Sequence, residues 1–280
     1  MTKANPWDVP GWLALAREAK LIRQLIGSGV TALGKANYAD GKGNYYLGFF
    51  GLSIGLERLA KLTLVADFAI EHGGRLPEES LIRGFGHQLV KLLDMVEKLS
   101  SKYDYSGEYG RPIDPISSGV VACLDSFANA QQGRYANFRL GDPNFEAEFE
   151  PIRIWWEKVT EPILAEHFYG KAVEDRIRHR AKQAAALMGG YTLILYFGED
   201  GKVIDDLEDA SFRTGVTEFS QKYWRYYSLT TVRWVSEIFE HLSHLGCYER
   251  DIDVLFGHYE HFLTFTVEDS LLKSRKTWPA

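Results

Sequence analysis

The stretch from Tyr45 to Val96 constrains the fold more than any other part of this chain. Apolar residues recur there at three- and four-residue steps. Glu57 and Lys61 stand one turn apart, Gly73-Gly74 interrupts the pattern, and Pro77-Glu78-Glu79 restarts it. Two amphipathic helices joined by a Gly/Pro turn produce such text. Glycine is the usual residue just past a helix C-terminus. Proline suits a first helical turn, and carboxylates suit its positive dipole end. The spacing predicts helices over 45–72 and 77–101, the second with a kink at Gly84 and Gly86.

The same period runs along nearly the whole chain. A helix over 12–26 carries one apolar stripe through Trp12, Leu15, Ala19, Ile22 and Leu25, and Gly27-Ser28-Gly29 is expected to stop it. A polar, glycine-containing loop spans 37–44, and a Gly/Pro/Tyr-rich irregular segment spans 102–118. Further helices are predicted over 116–131, 145–168 (bent at Pro162), 173–188, 218–245 and 251–265. A loop over 133–144 contains Arg134-Tyr135. The apolar run at 191–197 leads into a tight turn at Gly198-Glu199-Asp200-Gly201, and the segment 191–203 reads equally as a strand or as a buried helix end. The fold class is therefore all-α, with additional helices toward the C-terminus. Composition shifts at Gly170-Lys171, which divides the chain into a bundle over 1–170 and a C-terminal helical region over 171–280 packed on it.

With 280 residues, 45% hydrophobic and 25% charged, the chain can bury a large core. Its net charge of −6 excludes a protein that coats nucleic acid with its whole surface. Any phosphate contact must come from a local patch. The richest is Arg176 to Lys182. Arg176, Arg180 and Gln183 share one helix face there, either as a phosphate-contacting surface or as a solvated face balanced by Glu174 and Asp175. Cys123 and Cys247 form no CxxC pair and have apolar neighbours, so they read as buried thiols. His241-x-x-His244 and His258-x-x-His261 could each bring two ligands to one metal, but neither carries a His-Glu-x-x-His pattern. No metal site and no cofactor is assigned, and no phosphate-loop or nucleophile-elbow motif occurs. No apolar run of about 18 residues is present, and no basic-then-apolar leader, so the expected setting is soluble, reducing and cytoplasmic. The basic tail ending in Lys276-Thr277-Trp278 reads as docked or frayed.

Several features of 44–168 stand in a familiar order. Tyr45-Tyr46 and Phe49-Phe50 open a helix, and Glu57 and Lys61 follow on one face. Gly73, Gly74 and Pro77 make the turn, Gly86-His87-Gln88-Leu89 follows, and Arg134-Tyr135 lies in a later loop. In this the chain resembles the HEPN domains. The resemblance implies an up-and-down helical bundle of four or five helices, here with additional C-terminal helices, often a homodimer, with roles in RNA or nucleotide binding in toxin–antitoxin and phage-defence systems. It points to Arg134 and Tyr135 as candidate nucleic-acid contacts; Arg176 and Arg180 are candidates by their own basic patch. One branch of the family is a metal-independent ribonuclease that uses an Arg and a His with four to six residues between them. The nearest pair here, Arg83 and His87, has three residues between, a spacing that places both on one face if they share a helix. The expected function is RNA or nucleotide binding. The alternatives are a non-catalytic dimerisation or partner-interaction protein, and a metal-independent ribonuclease with Arg83 and His87 as its catalytic pair.

Overall fold

A computed structural model describes residues 5–128, 150–188 and 192–279. Its described elements are α-helices α1 (Trp12–Leu33), α2 (Lys42–Glu71), α3 (Glu79–Gly84), α4 (Leu89–Lys102), α5 (Pro115–Ala128), α6 (Pro151–Trp155), α7 (Glu161–His167), α8 (Ala172–Met188), α9 (Leu207–His244) and α10 (Asp269–Ser274). The only described strands are β1 (Tyr196–Phe197) and β2 (Val203–Ile204), an antiparallel pair with Tyr196 opposite Ile204. The fold is all-α. One hydrophobic core joins Leu15 on α1 to Trp278 near the end of the chain. No described helix is long and apolar enough to cross a membrane.

α2 and α9 are the two long central helices. α2 packs on α1, α4, α5 and α9, while α9 also touches α1, α4, α5, α7, α8 and α10. Gly27-Ser28-Gly29 does not stop α1, which runs on to Leu33. These small residues serve a close crossing: a methyl on Gly29 would lie 2.9 Å from the Leu52 backbone nitrogen, and one on Gly55 would lie 2.6 Å from Ile26 Cγ1. Contacts descend α1 as they climb α2, so the two helices are antiparallel. α2 ends as its glycines predict. Gly73 and Gly74 take positive φ, and the Gly74 N–H bonds the Ala69 carbonyl at 2.8 Å.

The helix expected over 77–101 is two helices. Gly86 at φ +80° turns the chain between α3 and α4, so the kink is a break. In the segment expected as one helix over 145–168, residues 145–149 lie outside the described residues. From Glu150 onward it is helical, with a π turn at Trp156–Thr160 between α6 and α7. Pro162 has no N–H for the Lys158 carbonyl four residues earlier, and the widened turn falls at that point. α9 begins at Leu207, capped by Asp206, whose side chain accepts the Asp209 N–H at 3.0 Å. The expected start at 218 missed three turns. Residues 251–265 form two 3-10 turns, Asp253–Leu255 and His258–His261, in place of one helix. Of the two readings of 191–203, the described residues hold short strand at Tyr196–Phe197 and Val203 around the turn and no helix, while residue 191 lies outside them. The tail docks: Trp278 is buried beside Phe265, and its N–H bonds Thr31 Oγ1 at 2.9 Å.

Candidate functional site

Three residues of the 45–96 stretch converge. Lys61 Nζ and His87 Nδ1 each lie 2.9 Å from the same oxygen of Glu57. Glu57 and Lys61 come from adjacent turns of α2, and the Gly86 turn brings His87 over them. The His87 side chain is 77% exposed and lies over the largely buried Glu57 and Lys61. Arg83 does not join it. It pairs with Glu79 at 2.6 Å on the exposed side of α3, and the break at Gly86 removes the shared helix face that its spacing from His87 suggested. Arg134 and Tyr135 lie outside the described residues.

Arg176 and Arg180 are brought together. They stand one turn apart on α8 and line a groove of about 510 Å³ between α8 and the first turns of α9, with Ser211, Thr214, Glu218 and Phe219 on the opposite wall. The two helices come close because α9 carries Gly215 at the crossing, where a methyl would lie 2.5 Å from Ile177 Cγ2. Glu174, one of the two acids expected to balance the basic face, is taken by Arg178 at 2.8 Å and by the Gly170 N–H. Arg176 and Arg180 have no ion-pair partner among the described residues. The α9 wall was missed because Ser211, Thr214 and Gly215 precede the expected helix start. The Asp206 cap followed by Glu208 and Asp209 is the sequence signal that marks the true start.

A second polar centre lies beneath the β1–β2 turn. The Glu199 side chain is fully buried. Its Oε1 accepts the Tyr45 hydroxyl at 3.0 Å and the Thr217 hydroxyl at 3.2 Å, and its Oε2 is 3.8 Å from Arg213 Nε. Arg213 also pairs with Asp200 at 2.7 Å and lies 4.2 Å over the Trp156 ring. Burial raises the Glu199 carboxyl above the ordinary range, with Arg213, Tyr45 and Thr217 pulling the other way. These groups tie the turn to α2 and α9. A cleft of about 430 Å³ lies above, lined by Lys42, Tyr46, Arg153 and the 198–201 turn.

The paired histidines are separated in role. His241 stacks on Tyr105 at 4.0 Å and His258 packs against Trp12 at 5.1 Å. The described residues hold no group of three or more metal-ligating side chains. Cys123 and Cys247 are both buried, and burial pushes the Cys123 thiol up to about 12. Compared with family models, with curated proteins and with solved structures, the chain matches none.

Proposed function

We propose that this chain is a HEPN-like helical protein that binds RNA or a nucleotide, with the α8–α9 groove receiving the phosphates. One observation carries the reading: Arg176 and Arg180 line one groove, one turn apart, without carboxylate partners among the described residues, on a chain whose net charge is −6. Guanidinium groups so placed offer planar donors to phosphate oxygens and gain from counterion release. Ser211 and Thr214 on the facing wall add hydroxyls for sugar or phosphate. The resemblance over 44–168 supplies the setting, a homodimer in a prokaryotic defence or toxin–antitoxin system in the cytoplasm.

The test is filter binding of labelled tRNA and of ATP at low and high salt. Arg176→Ala with Arg180→Ala weakens binding and reduces the slope of log K against log salt by roughly 1.5, the share of two phosphate contacts. Affinity that ignores the double variant removes the groove from the account.

A second reading, a partner-interaction protein, draws on the β1–β2 hairpin. Leu193 is 99% exposed, and Leu195, Phe197 and Val203 are also exposed nearby. Contiguous apolar surface of this kind marks contact sites. Light scattering on Leu193→Ser with Leu195→Ser tests it: a wild-type dimer that becomes a monomer assigns the hairpin to the dimer contact.

A further inference from the structure

The groove does not end at Phe219. Lys222, Tyr223 and Tyr226 follow at three- and four-residue steps on the same face of α9. Lys222 Nζ lies 4.7 Å from the ring centres of both Phe219 and Tyr223, and Lys273 Nζ lies 4.1 Å over Tyr226. Neither ammonium has a carboxylate partner among the described residues. His167 stacks flat on Tyr223, 4.2 Å between centres with 2° between planes, and its Nε2 is 2.9 Å from the Tyr227 hydroxyl. Burial first, then Lys273, Lys222 and Lys171, hold His167 below its ordinary value against the pull of Glu166. Burial and Lys273 likewise lower Lys222. The cations therefore crowd one another over rings. The carboxylates nearby include Glu166, 3.5 Å from His167; Glu218, at the groove; Asp114, whose charge reaches Tyr226 and Tyr227; and Asp269, already engaged by Arg233 and Tyr226.

We propose that groove and strip together bind single-stranded RNA, with phosphates on Arg176, Arg180, Lys222 and Lys273 and a base stacked on the His167–Tyr223 ring pair. This rests on the RNA-or-nucleotide reading above and narrows it. From Ser211 to Tyr226 the face runs roughly 22 Å along α9, longer than one nucleotide. A mononucleotide would use one end and leave the other lysines unpaired. A duplex hides its base faces, so the aromatic half of the strip would gain nothing from it. Alternating cations and rings along a groove is the general means of holding a single strand without reading its sequence.

The experiment is fluorescence anisotropy with a 5′-labelled mixed-sequence RNA oligonucleotide, as single strand and as blunt duplex, with ATP and polyglutamate as competitors. The single strand binds at least about tenfold more tightly than the duplex. Lys222→Gln lowers the salt slope by roughly 0.7, one phosphate contact. Tyr223→Ala weakens binding about tenfold without changing that slope, and Tyr223→Phe, which keeps the ring, restores affinity. Circular dichroism melts verify that each variant is folded. Equal affinity for strand and duplex, with Lys222→Gln behaving as wild type, overturns the strip. If Arg176→Ala with Arg180→Ala still weakens binding in that case, the groove reading survives alone. Displacement of the strand by polyglutamate as readily as by unlabelled RNA also overturns the proposal, since charge alone would then account for binding. No RNA binding by wild type at low salt overturns both.

Discussion

Gly51 of α2 lies directly against Gly29 of α1: a methyl on Gly51 would stand 2.7 Å from the Gly29 Cα and 2.5 Å from the Leu25 carbonyl oxygen. Both neighbours are backbone, so neither can swing aside. Gly51→Ala gains up to about 1 kcal/mol of helix propensity but forces the helices apart, and overpacking costs about 1–3 kcal/mol. The expected outcome is a lower urea midpoint at unchanged m-value. Gly43→Ala, on the same helix with open space around it, is the control and is expected to be neutral or slightly stabilising. Equal behaviour of the two variants would mean that the crossing is not tight.

His258 is buried against Trp12, beside the Val254 backbone. Burial, with His261 nearby, holds it down at about 4 against an ordinary value of 6.5. Between those values the unfolded chain binds the proton and the folded chain does not. Stability is therefore full above pH 6.5 and falls as pH drops toward 4, by on the order of 3 kcal/mol for this group. His261 and His241, lowered mainly by burial, act in the same direction. Denaturant titrations from pH 7.5 to about 4.5 measure the slope, and His258→Phe is expected to flatten it. An unchanged slope in that variant would assign the acid sensitivity elsewhere.

The helical period made the fold class legible, because a buried stripe on α1, α4 or α9 is written directly in residue spacing. Legibility failed where glycine has two meanings. Gly27-Ser28-Gly29 reads as a stop, yet it lies inside a helix whose partner comes too close for side chains. Gly86 reads as a kink and is a break, because its φ is positive. The groove arginines could be found from charge and spacing alone. Their opposite wall could not, since the first turns of α9 are not strongly apolar and only the Asp206 cap announces them. The Glu199 centre joins residues 154 positions apart, Tyr45 and Glu199, and nothing local in the sequence couples them.

Glu199 gives a graded test of that centre. Glu199→Ala leaves the buried Tyr45 and Thr217 hydroxyls without their acceptor, at a cost of about 1–3 kcal/mol for each donor left unsatisfied. Glu199→Gln keeps an acceptor oxygen and sheds the burial of charge, so it is expected to cost much less. The folded-state value of Glu199 is raised, so the native chain holds a proton that the unfolded chain has already lost. Wild type thus loses stability as pH rises from the ordinary value of 4.5 through the raised one. The Gln variant lacks that loss. Its deficit relative to wild type should shrink with rising pH in chemical denaturation. A deficit that grows instead would mean that the ionised carboxylate is stabilised in the fold.

The ribonuclease alternative turns on the same surface that carries the resemblance. Glu57 orients His87, as a general base requires, but phosphoryl cleavage also needs a cation at the developing charge. Arg83 points its guanidinium to Glu79, and no hydrogen bond joins it to His87 among the described residues. Lys61 is bound to the carboxylate that holds the histidine. Labelled tRNA incubated with wild type in the absence of metal is therefore expected to stay intact. His87→Ala and Arg83→Ala are expected to bind RNA as wild type does; Arg83→Ala removes a pair exposed on both sides and is expected to cost at most about 0.5 kcal/mol of stability. Metal-free cleavage by wild type that disappears in His87→Ala would establish His87 as catalytic and replace the binding reading with a nuclease. Cleavage that also disappears in Arg83→Ala would require the α3–α4 turn to rearrange when RNA binds.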